Sequence, residues 1–136
     1  MKNKKSQISM EYMIILGFVA VITIPLVVIF MTQSDETNDD VKSNQVYLIA
    51  KKLADSAESV YYLGEPSKTT LKVYFPEDIF SVSIGNQEIM FRMKTRSGVD
   101  DVVVMTAVDV NGTLPITAGT HYIKIESKGD YVWIGT

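Results

Sequence analysis

The sequence predicts an α+β protein: a long hydrophobic N-terminal helix followed by a small antiparallel β-sheet or β-sandwich. Three observations carry that prediction. Residues 12–34 hold no charged side chain, residues 41–63 recover a helical apolar stripe, and after Pro66 the apolar period falls to about 2. The chain has 136 residues, the length of one domain plus attachments. It has no cysteine, which excludes a disulfide framework, a thiolate metal site, a cysteine nucleophile and a thioether lipid anchor. A net charge of −3 argues against a nucleic-acid partner, which selects for basic patches.

The first element is the apolar helix. Tyr12–Ser34 is a run of 23 uncharged residues, and within Met13–Met31 only Gly17, Thr23 and Pro25 fall outside the strongly apolar set. Nineteen helical residues span roughly 28 Å, about the hydrocarbon thickness of a bilayer. Because the run is apolar on every side, it reads as a membrane-competent helix and not as an amphipathic core helix. Lys2, Lys4 and Lys5 precede it, while Asp35, Glu36, Asp39 and Asp40 follow. The basic flank is expected to stay cytoplasmic, which leaves residues 35–136 outside the cell membrane. A cleaved secretory signal has a shorter apolar region and a small-residue cleavage site after it. Here Thr-Gln-Ser-Asp-Glu follows instead, so the span is expected to be retained.

Glu11 sits at the mouth of the span. A carboxylate near hydrocarbon is costly, so it either stays hydrated at headgroup depth or takes a partner from another subunit. Gly17, Ala20 and Thr23 recur every third residue and form a narrow small-residue stripe, which lets apolar helices approach closely. Composition alone also produces such stripes. Pro25 lacks an N–H and is expected to kink or locally open the helix.

The segment Lys4-Lys5-Ser6-Gln7-Ile8-Ser9-Met10-Glu11-Tyr12 resembles the processing site of archaeal type IV pilins that carry class III signal peptides. In that family a short basic leader precedes a small residue, then Gln-x-Ser-x-Glu-Phe/Tyr, then the apolar helix. The resemblance implies cleavage by a prepilin peptidase between Ser6 and Gln7, on the cytoplasmic side. Residues 1–6 would be the leader, and Gln7 the first of 130 mature residues. It also implies that Glu11 pairs with the terminal amine of a neighbouring subunit's Gln7 during assembly. Ser6 stands where Gly is more usual, and an N-terminal Gln is able to cyclise and lose that amine. The motif covers about a tenth of the chain.

The same resemblance implies polymerisation through the helix of residues 8–31 into a surface filament, for adhesion. Its implied partners are the peptidase, further copies of the chain, the pilus assembly ATPase with its membrane platform, and membrane lipid before assembly. The precursor would lie in the cell membrane and the mature protein on the cell surface. Removing the leader takes away three lysines and leaves 10 basic against 16 acidic residues, a side-chain charge of −6. The alternatives are a single-pass membrane-anchored β-domain binding module, and a minor pilin or pseudopilin that primes or tips a filament.

Thr32–Asp40 is polar and acidic, either a loop or a solvated stretch of one long helix. Its carboxylates lack the Gly turn and the ligand spacing of a calcium loop. In 41–63, Val46, Ala50, Leu53, Ala57 and Val60 step by four and three, with Ile49 and Tyr61 broadening the stripe. Gly64 suits a C-terminal cap and Pro66 blocks continuation. This helix is expected to cover one face of the β region, 64–136, whose core is thin on its own.

In the β region, Leu71, Val73 and Phe75 alternate with polar neighbours, as do Phe80, Val82 and Ile84, then Ile89, Phe91 and Met93. Gly85-Asn86 is expected to make a turn. Val99–Val108 reads as a central strand, Asn111-Gly112 as a hairpin turn, and Ile123/Ile125 and Tyr131–Ile134 as the last strands.

Candidate chemistry is scarce. The single histidine, His121, has no second His or Cys with which to share a metal, and it reads as structural. Asp100 and Asp101 point to opposite faces of a strand and do not form an acid–base pair on one substrate. Asp109-Val-Asn-Gly is a fragment of a calcium loop. No nucleophile elbow, phosphate loop or dinucleotide fingerprint is present, so no enzyme activity and no cofactor are expected. Asn111-Gly112-Thr113 is an N-glycosylation sequon on the side expected to lie outside the cell. Tyr61, Tyr62, Tyr122, Tyr131 and Trp133 are candidates for subunit packing or adhesion, against ordinary packing on the sheet faces.

Overall fold

The computed structural model describes the backbone of residues 2–136 and the side chains of residues 8–34 and 37–136. One helix, α1 (Lys2–Leu63), precedes seven strands. These are β1 (Lys68–Phe75), β2 (Ile79–Gly85), β3 (Glu88–Thr95), β4 (Gly98–Met105), β5 (Val110–Gly112), β6 (Gly119–Ser127) and β7 (Val132–Gly135). The chain divides into two compact units, the first ending at Asn38 and the second running from Asp39 to Thr136. The helix backbone continues through residues 32–40, so the polar stretch there is a solvated part of α1 and not a loop. Thr32 and Thr37 hydroxyls donate to the carbonyls of Val28 and Gln33, four residues back, which keeps their polar groups on the helix.

The first unit is a helical segment with every described side chain from Ile8 to Ser34 exposed. Pro25 lies inside α1 without ending it, though its missing N–H leaves the Val21 carbonyl without the usual helical donor.

The second unit has its own core. Val46, Ala50, Leu53, Ala57 and Val60 are buried, the stripe read from the sequence, and Ala54 joins them. They share one apolar cluster with Phe75, Ile89, Phe91, Met93, Ile123, Ile125, Val132 and Ile134 from the strands. Small residues dominate the helix side of that cluster, so the helix backbone and the strands pack closely. The helix stops at Gly64, whose φ of +78° suits glycine and whose N–H donates to the Tyr61 carbonyl.

The strands form a four-stranded sheet, β1-β6-β7-β5, and a three-stranded sheet, β2-β3-β4. Buried and more exposed residues alternate along much of β1, β3 and β6, so one face of each sheet enters the core. Phe75 of the first sheet meets Phe91 of the second edge to face.

Three local readings are corrected by the pairing. Asn111-Gly112 does not make a hairpin; it belongs to β5, which pairs in parallel with β7. Gly112 is required there because a Cβ would fall 1.8 Å from the Ile134 carbonyl oxygen. The run Val99–Val108 is not a central strand: β4 ends at Met105 and forms a sheet edge, with Val99, Val103 and Met105 exposed. The β2–β3 turn sits at Asn86 and Gln87, both with positive φ, one residue later than Gly85-Asn86. Two positive-φ residues in a two-residue loop match the twist of the flanking strands. The sheets are antiparallel except for the β5–β7 pair.

Candidate assembly and binding surfaces

The first surface is the apolar segment of α1. It is long and apolar enough to cross a membrane, and none of its apolar side chains is buried within the chain. Each large aliphatic or aromatic side chain left in water forgoes roughly 1.5–3 kcal/mol relative to burial. A run such as Met13–Met31 therefore requires lipid or other apolar helices around it. Gly17, Ala20 and Thr23 are all exposed, and no atom lies within 4 Å of a Cβ built on Gly17, so the small-residue stripe is open to a neighbour. Thr23 also borders a shallow groove with Leu26, Val27 and Phe30.

Glu11 is exposed, and among the described residues it makes no ion pair or hydrogen bond. The expected cleavage between Ser6 and Gln7, and the expected role of Gln7 in assembly, fall on side chains outside the described residues.

The β domain places the remaining candidates. Asn111 is exposed on β5, where its Oδ1 accepts from the Gly112 N–H at 2.8 Å. His121 is half-buried, packs on Phe75 at 5.1 Å between ring centroids, and its Nε2 is 2.7 Å from the Thr117 carbonyl oxygen. That is a structural setting. Asp100 and Asp101 do separate: Asp100 accepts from the Ser43 hydroxyl at 2.6 Å, while Asp101 pairs with Arg92 on the opposite face at 3.2 Å. Among the described residues no group of three or more His, Cys, Asp or Glu is placed to hold a metal.

Most charges on the helix side of the domain are engaged. Lys42 pairs with Asp78, Lys51 with Asp55, and the Glu58 carboxylate accepts from the Ala107 N–H at 2.9 Å. The hydrogen bond to Asp78 is the main cause of a Lys42 pKa above its ordinary 10.5. Desolvation opposes that rise, and the negative charges of Asp78, Asp39 and Glu77 add to it.

A second surface lies on the outer face of the four-stranded sheet; sequence reasoning singled out its Tyr122 and Trp133 but not Tyr74 or the lysines beside them. Register sets Lys72 opposite Tyr122, Thr70 opposite Lys124 and Tyr74 opposite Thr120. Lys124 in turn faces Gly135, and Glu126 faces Trp133. The Trp133 indole lies across Gly135, since a Cβ there would be 2.9 Å from Nε1. Lys72 Nζ stands 5.9 Å from the centre of the Tyr122 ring. β1 is far in sequence from β6 and β7, so only pairing brings the whole group together.

The chain matches no family model, no curated protein and no solved structure. Fold and surfaces together define a β domain whose core helix continues into a segment able to cross a membrane.

Proposed function

We propose that the chain is the precursor of a type IV pilin-like structural subunit, of the archaeal class III kind. In this reading it enters the membrane by its apolar helix, loses residues 1–6 to a prepilin peptidase, and polymerises. The bilayer then acts as a reservoir, because lipid and a filament interior hide the same apolar surface.

The observation that carries the proposal is the position of Glu11. It stands at the start of an apolar segment of α1 whose described side chains are uncovered, it has no partner among the described residues, and it lies five residues after Ser6 in the Ser-Gln-x-Ser-x-Glu-Tyr motif. A carboxylate and an α-ammonium at a filament core each lose hydration, which only a close partner offsets. Their pairing between subunits would thus report register more than add stability.

Intact-mass measurement on protein purified from its native membrane tests the reading. A chain beginning at Gln7 supports it, with loss of 17 mass units if that residue cyclises, about one ammonia. A chain retaining Lys2–Ser6 overturns it and favours the membrane-tethered binding module. Electron microscopy of shed filaments then separates a major subunit from a minor one.

A further inference from the structure

Arg96 aside, the lysines and arginines of the second unit divide into two sets. Lys42, Lys51, Arg92 and Lys128 each hold a carboxylate partner. Lys52, Lys68, Lys72, Lys94 and Lys124 form no ion pair among the described residues. Lys68, Lys72 and Lys124 all stand on the outer face of the four-stranded sheet. Lys52 lies beside them, with Lys72 and Tyr74, in a groove of about 400 Å³ between α1 and β1. The only carboxylate on the strands of that face is Glu126, already held by Lys128 at 3.0 Å. In a chain of net charge −3, four of these five lysines thus lie on one side, with Lys94 on the other sheet.

Aromatic surface is interleaved with that charge. Tyr74 and Tyr122 are 63% and 60% exposed, and Trp133 offers one indole face while the other covers Gly135. Diagonal neighbours on adjacent strands are about 8 Å apart in sheet geometry. By register, Tyr74, Tyr122 and the indole over Gly135 follow such a diagonal, with Lys72 and Lys124 set between them. Thr70 and Thr120 add exposed hydroxyls.

We propose that this face, Lys72, Tyr74, Tyr122, Lys124 and Trp133, binds an acidic polysaccharide. Pyranose rings present flat C–H faces that lie on aromatic rings, and uronate carboxylates supply the anions the lysines lack. Lys72 is far enough from the Tyr122 ring to leave its face open, and close enough to meet an acid group on a sugar lying there. The lysines are spaced one per strand step and not massed. That density suits a polymer charged at some of its sugars better than a phosphodiester charged at every unit, which the acidic remainder of the chain repels more strongly. The proposal does not depend on filament formation.

The test uses the full chain in polyoxyethylene micelles, which carry neither charge nor sugar, with binding followed by calorimetry. The probes are hyaluronate, charged at every second sugar, neutral dextran and an oligothymidylate. Hyaluronate is expected to bind, and to weaken as salt rises from about 50 to about 300 mM. The double charge reversal Lys72→Glu/Lys124→Glu is expected to reduce affinity about tenfold or more, and Tyr74→Ala/Tyr122→Ala, both on exposed side chains, several-fold. Lys94→Glu, on the other sheet, is expected to change nothing, and circular dichroism checks that each variant folds. Absence of hyaluronate binding, an unchanged affinity in the double reversal, equal weakening by Lys94→Glu, or tighter binding of the oligothymidylate overturns the proposal. Because N-terminal processing is read separately by mass, failure here leaves the filament reading untouched, and the converse holds.

Discussion

Phe75 and Phe91 meet edge to face, with ring centroids 5.7 Å apart and planes at 78°. Each is fully buried and each comes from a different sheet, so this one contact fastens the two sheets together. Replacing Phe91 with Ala removes both the buried surface and the ring pair. The expected cost is about 3–5 kcal/mol, with about 0.5–1.5 kcal/mol of coupling to Phe75 in a double-mutant cycle. Urea unfolding of the full chain in micelles, followed through the single tryptophan, measures it. A loss below that of an exposed substitution such as Tyr62→Ala would contradict the inter-sheet role.

Gly112 makes a sharper prediction. A methyl group at Gly112 collides with the Ile134 carbonyl oxygen, and the backbone φ there is +155°. Gly112→Ala should therefore displace β5 from β7 and destabilise the domain by more than about 2 kcal/mol. Gly85→Ala, with no atom within 4 Å of its new methyl, should stay within about 0.5 kcal/mol of the parent. Equal midpoints for the two variants would refute the close approach.

The Lys42–Asp78 pair predicts alkaline sensitivity. A lysine pKa raised above 10.5 in the folded state contributes stability that is fully present below 10.5 and is lost as pH rises through the folded value. Both side chains are partly solvated, so the contribution is about 0.2–1 kcal/mol. Asp78→Asn keeps a residue that tolerates the positive φ of 74° at this position and removes the charge. Stability measured between pH 9 and about 12 should fall less steeply in Asp78→Asn than in the parent. Parallel curves would assign the alkaline loss to other groups.

For assembly, Glu11→Val should leave membrane insertion intact, because the apolar span is unchanged, while filament yield drops. Membrane fractionation and electron microscopy of shed material read the two effects independently. A normal yield of filaments removes Glu11 from the mechanism.

What the sequence reveals is what short-range periodicity encodes. Val46, Ala50, Leu53, Ala57 and Val60 are legible because the 3.6-residue repeat alone places them on one side. Asn111-Gly112 misleads because the Asn-Gly signal is local, whereas the residue that dictates glycine is Ile134, two strands later in the chain. Val99, Val103 and Met105 mislead in the opposite sense: an apolar composition suggests a central strand, yet an edge strand carries it. The lysine–aromatic face is only partly legible in the sequence, for a third reason: Tyr122 and Trp133 stand out as aromatics, but their lysine neighbours do not. Lys72, Tyr122 and Trp133 become neighbours only through the β1–β6–β7 register. Glu11, by contrast, is conspicuous without any fold, since its meaning lies in the apolar run that follows it.

The β1–β6 pairing also sets a timetable. Ribosomal synthesis delivers α1 first, and its anchor segment is ready for lipid while the rest of the domain does not yet exist. β1 then waits for Gly119–Ser127 before its ladder can form, and the buried stripe of α1 waits with it. During that interval an unpaired strand edge and an uncovered helix face coexist, the condition under which chains stick to one another. In the proposed reading, an anchor that already holds each nascent chain in lipid would keep it from drifting into its neighbours, so a helix shared by apolar segment and core would double as a guard for an unfinished domain.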